Sequence, residues 1–409
     1  MSSTKSDLEG KYVLERDVWA EGPPHELFRQ MRSECPVHWC PGITEFPEEA
    51  GFWSVTRPED IHAVSRDFKT YSSELGGVTA MNSGFPIEYS RAMFIGMDPP
   101  KHDRLKMLFQ AGFTPKRISM HDDKIREITR TVLERLEGRE TCDLVADIAQ
   151  PTVSRVIGSF MGIPEEDDAM WAALMNEMLG AGDPDINPGG IDDIMARMIP
   201  TLFENCGKLI AARRENPTDD LTSVLVHAEI EGERLEDHEI VMGFFLLMAA
   251  GNDSTKATYC SGMQALMEYP DERDKVLADP SLIPSVVEES LRMFPAFAHF
   301  RRTATTDTEL NGAQIKEGDK VVLWYVSSNR EDGLYEDADA FVADRNPEHQ
   351  AFGAGGRHFC LGTALARLEL RTMFEETLKR YPNMEIVGKP TYVESGFINQ
   401  LKTLPVRLG

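Results

Sequence analysis

The sequence is short of basic residues and of long apolar runs. Its 409 residues include 43 Lys and Arg against 68 Asp and Glu, for a formal charge of −25. This excess of negative charge disfavours nucleic acid and anionic membranes as partners. The strongest apolar run, Ile240 to Ala250, has 11 residues and is too short to span a bilayer.

Targeting and disulfide signals are also missing. The start, MSSTKSDLEGKY, has no apolar core behind a basic segment, so neither a secretory signal nor a membrane anchor is predicted. We therefore expect a cytoplasmic protein. The six cysteines are scattered without CxxC pairs, which argues against a zinc site or a disulfide framework. Their positions are Cys35, Cys40, Cys142, Cys206, Cys260 and Cys360.

The domain organisation is simple, because no internal repeat, low-complexity tract or evident linker interrupts the chain. Hydrophobic residues make up 41% of the sequence, enough for a sizeable buried core. We expect an N-terminal extension over residues 1–23 and one large domain over residues 24–409.

Helical periodicity dominates the hydrophobic pattern, and strand-like segments are few. Alternation indicates a strand over Phe52 to Thr56, Asn311-Gly312 is typical of a hairpin turn, and Val321 to Val326 is again strand-like. The predicted class is mainly α with a minor β region (α+β). Apolar spacings of three and four predict helices over Ile118 to Leu136, Ile194 to Arg214, Glu236 to Tyr269 and Gly362 to Tyr381.

The most informative segment for chemistry is the glycine-rich loop Phe352 to Gly362, FGAGGRHFCLG. Glycines let the backbone turn tightly and bring N–H groups near the sulfur of Cys360. A predicted helix follows directly, and its positive N-terminal end favours a thiolate, the form that binds metals. An isolated cysteine is usually an ordinary buried thiol. In this loop, a metal-binding thiolate is the better interpretation.

The loop resembles the haem-binding signature of the cytochrome P450 family. The resemblance implies haem b, with Cys360 as the thiolate ligand to the iron, His358 near a haem propionate and Gly362 beside the ligand. The loop departs from the family pattern at one point. The usual aromatic stands seven residues before the cysteine, whereas Gly353 holds that place here and Phe352 lies one step earlier. We expect one extra residue in the loop.

A second motif, Ala250 to Thr255 (AGNDST), forms a polar break within a long apolar helix. By itself it could be a helix kink at Gly251 with small polar residues facing water. It resembles the family's acid–alcohol pair for proton delivery, with Ala250 beside the haem. Asp253 would be the acid, and Ser254 takes the place usually held by threonine. Thr255 is the neighbouring candidate for the alcohol.

Two further segments resemble the family's structural motif. Glu289 and Arg292 lie three apart on a short predicted helix, where Ser285 and Glu288 form a capping-box pattern. Such a pair is usually a solvated surface ion pair. By resemblance, Glu289, Arg292 and Arg345 form a buried triad that supports the fold.

The remaining matches concern the haem propionates. Two carboxylates in a buried site need several cations or polar donors. By resemblance these are His102, Arg302 and His358, with Lys106 where the family more often has arginine. Lysine lacks the bidentate fork, so its contact is the least secure of the four.

The resemblance extends from about Pro24 to the C-terminus and implies a monooxygenase that uses O2 and two electrons from NAD(P)H. No flavin or iron–sulfur domain fits beside the haem domain, so a ferredoxin-type donor with its reductase is expected. Details at Gly180 to Gly190, at Asp219 and at Leu401 to Pro405 are most similar to bacterial members that oxidise branched lipids, sterols or terpenoids. A monomer that acts on a hydrophobic small molecule is expected.

Two alternatives follow from the same residues. A haem protein that only binds or senses a ligand needs no proton relay, which Asp253 and Ser254 argue against. A peroxide-using enzyme usually lacks the acid–alcohol pair. Substrate contacts are expected from Leu75 to Phe94, which includes Phe85, from Met178 to Met198, from Phe245 and Ala249, from Ala296 to His299, and from Phe397 and Ile398.

Overall fold

The computed structural model describes residues 13–44, 46–81, 86–180, 183–230 and 232–409. Helices dominate, and the sheets are small, which confirms the predicted fold class. Within these ranges, no helix combines the length and the apolar composition needed to cross a bilayer. The α-helices are His25–Glu34, Pro58–Arg66, Ile87–Ala92, Lys101–Gln110, Pro115–Ser119, Asp122–Glu134, Gln150–Met161, Asp168–Leu179, Gly190–Glu215, Leu221–His227, Asp237–Glu268, Pro270–Ala278, Ile283–Met293, Tyr325–Ser328 and Thr363–Arg380.

The strands of the described residues are short. They are β1 Val37–Cys40, β2 Phe52–Val55, β3 Tyr71–Ser72, β4 Thr141–Asp143, β5 Glu229–Ile230, β6 Glu233–Arg234, β7 His299–Ala304, β8 Thr308–Leu310, β9 Ala313–Ile315, β10 Lys320–Trp324, β11 Glu385–Ile386, β12 Thr391–Tyr392, β13 Leu401–Thr403 and β14 Pro405–Arg407. Five of them form the main sheet, in the order β1-β2-β10-β7-β3. Strand β2 pairs antiparallel with β1 and parallel with β10.

The elements predicted from the sequence are present, but some of their ends are misplaced: the strand predicted over Val321 to Val326 ends at Trp324, and a helix begins at Tyr325. Strands β8 and β9 form the predicted hairpin, and Asn311 and Gly312 at its tip have φ of +48° and +82°. This left-handed pair is the reason for the Asn-Gly preference. The helix predicted over Ile118 to Leu136 is two helices, separated at Met120 and His121.

The helix Asp237–Glu268, here called the central helix, positions the interior of the molecule. Its N-terminal half packs Phe244 and Phe245 into one apolar cluster, and its C-terminal half packs Tyr259 and Met263 into another. Because both halves are buried, the helix is apolar on nearly every side. The Tyr259 hydroxyl lies 2.7 Å from the Thr377 hydroxyl, which ties the central helix to the helix Thr363–Arg380, here called the C-terminal helix.

The predicted capping box on the helix Ile283–Met293 is wrong. The helix begins at Ile283, so Ser285 lies in its first turn and not at the N-cap, and no side chain caps the helix. The Ser285 hydroxyl accepts the Asn346 N–H at 2.9 Å, and Glu288 pairs with Arg367 at 2.6 Å. Tertiary partners outcompete the local motif.

Within residues 13–23, the described part of the expected N-terminal extension, several side chains belong to the core. Val13 and Trp19 are almost fully buried. Trp19 stacks on Trp324 of β10, with 6.1 Å between ring centroids, and its indole N–H donates to the Val13 carbonyl at 2.8 Å. This segment therefore packs against the large domain.

Candidate active site

The glycine-rich loop before the C-terminal helix holds the Cys360 side chain in place. The Cys360 N–H donates to the Phe352 carbonyl at 3.0 Å, which closes the loop. Gly353, Gly355 and Gly356 have φ of +92°, +85° and +78°, a region that side chains strongly disfavour. A Cβ on Gly356 would also lie 2.3 Å from the Ser65 carbonyl oxygen. The loop conformation therefore requires glycine.

The loop directs Cys360 toward an internal cavity, here called the cysteine cavity. Cys360 is exposed and lines this cavity. Burial raises the pKa of the thiol, opposed by the Gly362 N–H and by the charges of Lys106 and Arg367. The start of the helix favours the thiolate as expected, but burial outweighs it in the protein alone.

The central helix forms part of the opposite lining of the cysteine cavity. Ala250, Gly251, Ser254 and Thr255 line it, and the helix continues through this segment without interruption. The Ser254 hydroxyl donates to the Ala250 carbonyl one turn earlier at 2.5 Å. Asp253 is fully buried and lies outside the lining.

The other candidate residues from the sequence also meet at this cavity. Of the eleven, ten line it and only Asp253 does not. The residues that the structure brings together are His102, Lys106, Ala250, Ser254, Thr255, Arg302, Phe352, His358, Cys360 and Gly362.

Four basic side chains converge at one side of the cysteine cavity. The rings of His102 and His358 are 4.3 Å apart between centroids, and Arg302 and Lys106 line the same cavity. Burial lowers the pKa of all four groups, and Arg302 lowers that of His358 further. Nε2 of His102 is buried and has no hydrogen-bond partner among the described residues. The cluster would be stabilised by an anion.

Lys106 makes contacts that the sequence did not predict. Its ammonium donates to the Phe359 carbonyl at 2.7 Å and to the Arg357 carbonyl, both in the cysteine loop. Lys106 therefore holds the backbone on either side of His358. Arg302 instead donates to the adjacent Arg301 carbonyl at 2.8 Å.

Phe352 lines the cysteine cavity although it stands one residue earlier than the aromatic of the family pattern. The Arg367 guanidinium lies 4.7 Å from the centre of its ring, a cation–π arrangement. Arg367 is itself paired with Glu288, so the aromatic ring is held from the C-terminal helix. The one-residue shift does not remove the aromatic side chain from the site.

Sequence reasoning missed one buried acid in the cavity lining. Glu369 is 4% exposed and accepts a hydrogen bond from the Thr255 hydroxyl at 3.0 Å. Burial raises the pKa of Glu369 to about 8, opposed by the Thr255 hydrogen bond. A signal was present, because Ala366, Glu369 and Leu370 share one helical face that lines the cavity.

The predicted structural triad is assembled and buried. Glu289 and Arg292 are 0% exposed, and Arg292 donates two hydrogen bonds to the carboxylate at 2.7 and 2.8 Å. Arg345 donates to the same carboxylate at 3.1 Å. Arg292 also donates to the Asn329 and Ala338 carbonyls. The surface ion-pair interpretation is therefore wrong.

A second cavity, here called the apolar chamber, adjoins the cysteine cavity. The two share Ile95, Leu246, Ala250, Phe297 and Phe300 in their lining. The chamber is lined by many residues of the segments predicted from the sequence as substrate contacts: Gly76, Gly77, Val78, Thr79, Ala80, Met81, Ile87, Ser90, Met93, Met178, Leu179, Ile191, Phe245, Ala249, Phe297, His299 and Phe397.

Other predicted substrate contacts lie elsewhere. Ala296 lines the cysteine cavity, whereas Ile398 and Met198 are fully buried in the core. Leu75 is 53% exposed at the surface. Phe85 lies outside the described residues. The predicted segments therefore contribute to the chamber through only some of their residues.

His299 fixes part of the chamber wall. The Ala80 N–H donates to its Nε2 at 3.1 Å, and its Nδ1 donates to the Gly396 carbonyl at 2.7 Å, which defines one neutral tautomer. Burial lowers its pKa to about 4. His299 therefore joins two loops of the chamber without carrying charge at neutral pH.

Comparison with known proteins assigns the family. The sequence profile described as cytochrome P450 matches residues 185–392. The methyl-branched lipid omega-hydroxylase of Mycobacterium tuberculosis is 36% identical over 401 residues, covering 95% of this chain and 92% of that protein. The chain belongs to the cytochrome P450 family. The steroid C26-monooxygenase of Mycolicibacterium smegmatis is 34% identical, with 95% and 93% of the two chains covered.

A solved structure agrees with this assignment. A Mycobacterium marinum cytochrome P450 in complex with pseudoionone superposes with a TM-score of 0.90 at 34% identity, covering 97% of this chain and 98% of that one. The present chain is accordingly a cytochrome P450 monooxygenase, an oxidoreductase.

The cytochrome P450 family implies a haem cofactor, and the cavity residues fit one. Haem b combines a flat apolar ring, a metal that accepts a thiolate and two carboxylates. The cavity offers an apolar lining, the thiol of Cys360 and the four converging basic groups. The buried Nε2 of His102 is a donor or acceptor site that a carboxylic group would satisfy.

Proposed function

We propose that this cytochrome P450 inserts one atom of O2 into a C–H bond of a hydrophobic small molecule. The observation that supports this most directly is the position of the Cys360 thiol and the Ser254 hydroxyl on one cavity that adjoins an apolar chamber. A thiol that could bind iron thus lies in the same cavity as a hydroxyl that could orient a proton donor. A protein that only binds a ligand does not need the second feature.

In this proposal, Cys360 is the protein ligand to the iron of haem b. His102, Arg302 and His358 would hold the propionates, while Lys106 braces the loop that carries His358. Ala250, Phe352 and Gly362 would pack beside the ring. When bound, the haem supplies the oxygen-activating and electron-transfer chemistry.

The acid and the alcohols have separate tasks in this proposal. Asp253 would take up protons from the protein interior, and Ser254 would orient the last donor through its hydroxyl. The Thr255 hydroxyl is committed to Glu369, which favours Ser254 as the working alcohol. The chamber excludes water and orients the substrate by apolar contact.

The proposed substrate class is branched lipids, steroids or terpenoids. The chamber lining supports this class, because it is formed mainly by Met, Leu, Ile and Phe side chains, with a few hydroxyls, His299 and the Arg16–Glu394 ion pair as its polar groups. The relatives named for a methyl-branched lipid and for a steroid support it as well.

The electron source in this proposal is a ferredoxin-type protein, reduced from NAD(P)H by its reductase. Residues 24–409 would form the single haem domain and would receive electrons from this separate protein. We further propose that the enzyme works as a cytoplasmic monomer. Its excess of acidic residues makes nucleic acid an unsuitable partner.

The ferrous–carbonyl spectrum tests the proposed ligand. Cys360→His and Cys360→Ala should abolish the red-shifted band that marks thiolate coordination, whereas Cys206→Ala, at a buried cysteine outside the cavity lining, should keep it. Survival of the band in well-folded Cys360 variants would overturn the proposal.

A spectral titration with branched fatty acids, steroids and terpenes tests the substrate class. The class is wrong if polar or aromatic compounds bind and none of these do.

A further inference from the structure

A buried polar network lies behind the central helix, outside the cysteine cavity. The side chains of Asp253 and Lys256 are 0% and 3% exposed and form an ion pair one helical turn apart. Removing two charges from water is costly, and such a pair persists only where further polar partners surround it. The buried ammonium of Lys256 must therefore have polar partners besides Asp253, and those partners indicate its role.

Lys256 is held by side chains from two other helices. Its ammonium donates to the Gln150 amide oxygen at 2.8 Å and to the Asn176 amide oxygen at 3.1 Å. Together with the Asp253 ion pair, these two hydrogen bonds give the ammonium three oxygen partners. The position of Lys256 therefore depends on all three partners at once.

The two amides differ in what holds them. Gln150 also donates to Ser154 on its own helix at 2.8 Å and to Asn252 of the central helix at 3.3 Å, which ties it into the core. Asn176 lies on Asp168–Leu179, here called the chamber helix, whose residues Met178 and Leu179 line the apolar chamber. Of these two amides, Asn176 is the one whose helix lines the apolar chamber.

We propose that Lys256 is a positioning residue that links occupancy of the apolar chamber to the acid Asp253. The position of the chamber helix sets the Asn176 contact, and this contact sets where the ammonium holds the Asp253 carboxylate. With all three contacts made, the carboxylate is held outside the cavity lining. Moving the chamber helix releases one contact and gives the carboxylate freedom to turn. This inference rests on the proposed role of Asp253.

The test compares Asn176→Leu with Glu177→Gln. Glu177 is the next residue on the chamber helix and pairs with Arg197, not with Lys256, so it is a matched control. Asn176→Leu should lower product formed per NADH by about fivefold, the size expected within one polar network. The spectral substrate Kd should stay within about twofold, because the chamber lining is unchanged. Glu177→Gln should match the wild type.

Making Asn176→Leu in both the wild-type and the Asp253→Asn protein distinguishes a role of Asn176 through Asp253 from a separate role. If Asn176 acts through Asp253, Asn176→Leu should cause no further loss of coupling in an Asp253→Asn protein. An equal loss in both backgrounds would overturn this inference and leave the role of Asp253 intact. Turnover at the wild-type rate in Asp253→Asn itself would overturn the proposed role of Asp253 and this inference with it.

Lys256 itself is tested by charge-matched variants. Lys256→Met alone strands a buried carboxylate, so Lys256→Met with Asp253→Asn supplies a neutral pair that avoids this cost. Amide hydrogen exchange in residues 168–179 of this double variant should be faster than in Asp253→Asn, because Asn176 loses its anchor. Lys256→Arg, as a single substitution, keeps the positive charge and should leave hydrogen exchange and coupling at their wild-type values. Unchanged exchange in the double variant, or no rescue by arginine, would overturn the inference.

Discussion

The Thr255 hydroxyl donates a hydrogen bond to the Glu369 carboxyl group at 3.0 Å and so joins the central helix to the C-terminal helix. Both residues are buried at the wall of the cysteine cavity. Because burial raises the pKa of Glu369 to about 8, the group is mostly protonated at neutral pH in the folded protein. The cavity therefore holds a neutral carboxylic acid between its two walls.

This relationship predicts a pH-dependent gain in stability for Glu369→Gln. Between the usual pKa of 4.5 and the raised value of about 8, the folded protein keeps a proton that the unfolded chain releases. The contribution of the Glu369 carboxyl group to the free energy of unfolding is fully present below pH 4.5 and is lost as the pH rises toward 8. Glutamine stays neutral, so the variant should gain on the wild type by about 1–4 kcal/mol across this window.

Denaturant unfolding of the two proteins at pH 5, 6, 7 and 8 measures this gain. Glu309→Gln, at an exposed position of the β8–β9 hairpin, is the control and should track the wild type at every pH. A stability difference between Glu369→Gln and wild type that does not change with pH would show that the acid is ionised in the folded protein.

Sequence reasoning worked where a pattern is local or a motif is distinctive. The positive-φ glycines beside Cys360 and the Asn311-Gly312 hairpin are encoded by residue types that few other conformations require. It failed where tertiary contacts decide. Glu369 looks like one more glutamate in a helix rich in charge, and only its packing against Thr255 makes it a buried acid.

The same limit applies to Asp253 and Ser285. The motif identified Asp253 as an acid, but its partner Lys256 and the amides from two other helices are brought together only by the fold. Ser285 fits a capping-box pattern, yet the helix begins earlier and the hydroxyl binds Asn346. Neither outcome could be obtained from spacing along the chain.

Glu289→Ala should lower the yield of haem-loaded protein sharply. Arg292 would remain fully buried without its carboxylate partner, and breaking a buried pair in this way costs about 3–5 kcal/mol. The control is Glu204→Gln, which removes one side of an exposed ion pair with Lys208 and should leave the yield unchanged. Haem content per protein and thermal unfolding are the measurements. A normal yield in Glu289→Ala would show that the backbone carbonyls alone suffice to hold Arg292 and Arg345.

Asp253→Asn should preserve haem content and substrate binding while slowing turnover. The amide keeps the shape of the side chain but cannot take up and release a proton. The substitution also leaves Lys256 buried without its anionic partner, so thermal stability must be measured in parallel. Turnover at the wild-type rate in a stable, haem-loaded variant would dismiss Asp253 as the acid.

The hydroxyls of Ser254 and Thr255 have different hydrogen-bond partners, so their removal should have different effects. The Ser254 hydroxyl bonds only along its own helix, to the Ala250 carbonyl, whereas Thr255 holds Glu369. Ser254→Ala should therefore leave NADH consumption appreciable while more of it ends as hydrogen peroxide. Thr255→Val should mainly lower stability, by about 1–2 kcal/mol, because it leaves the buried Glu369 without its donor.

The deciding measurement is product formed per NADH consumed, with a reconstituted ferredoxin system and a substrate found by spectral titration. Ser254→Thr restores the family's usual residue and should tighten coupling or leave it unchanged, since the added methyl group restrains the hydroxyl. If Ser254→Ala stays coupled and Thr255→Val becomes uncoupled, the working alcohol is Thr255. In that case the Thr255–Glu369 bond would have to open during turnover, and Glu369→Gln should then change coupling as well.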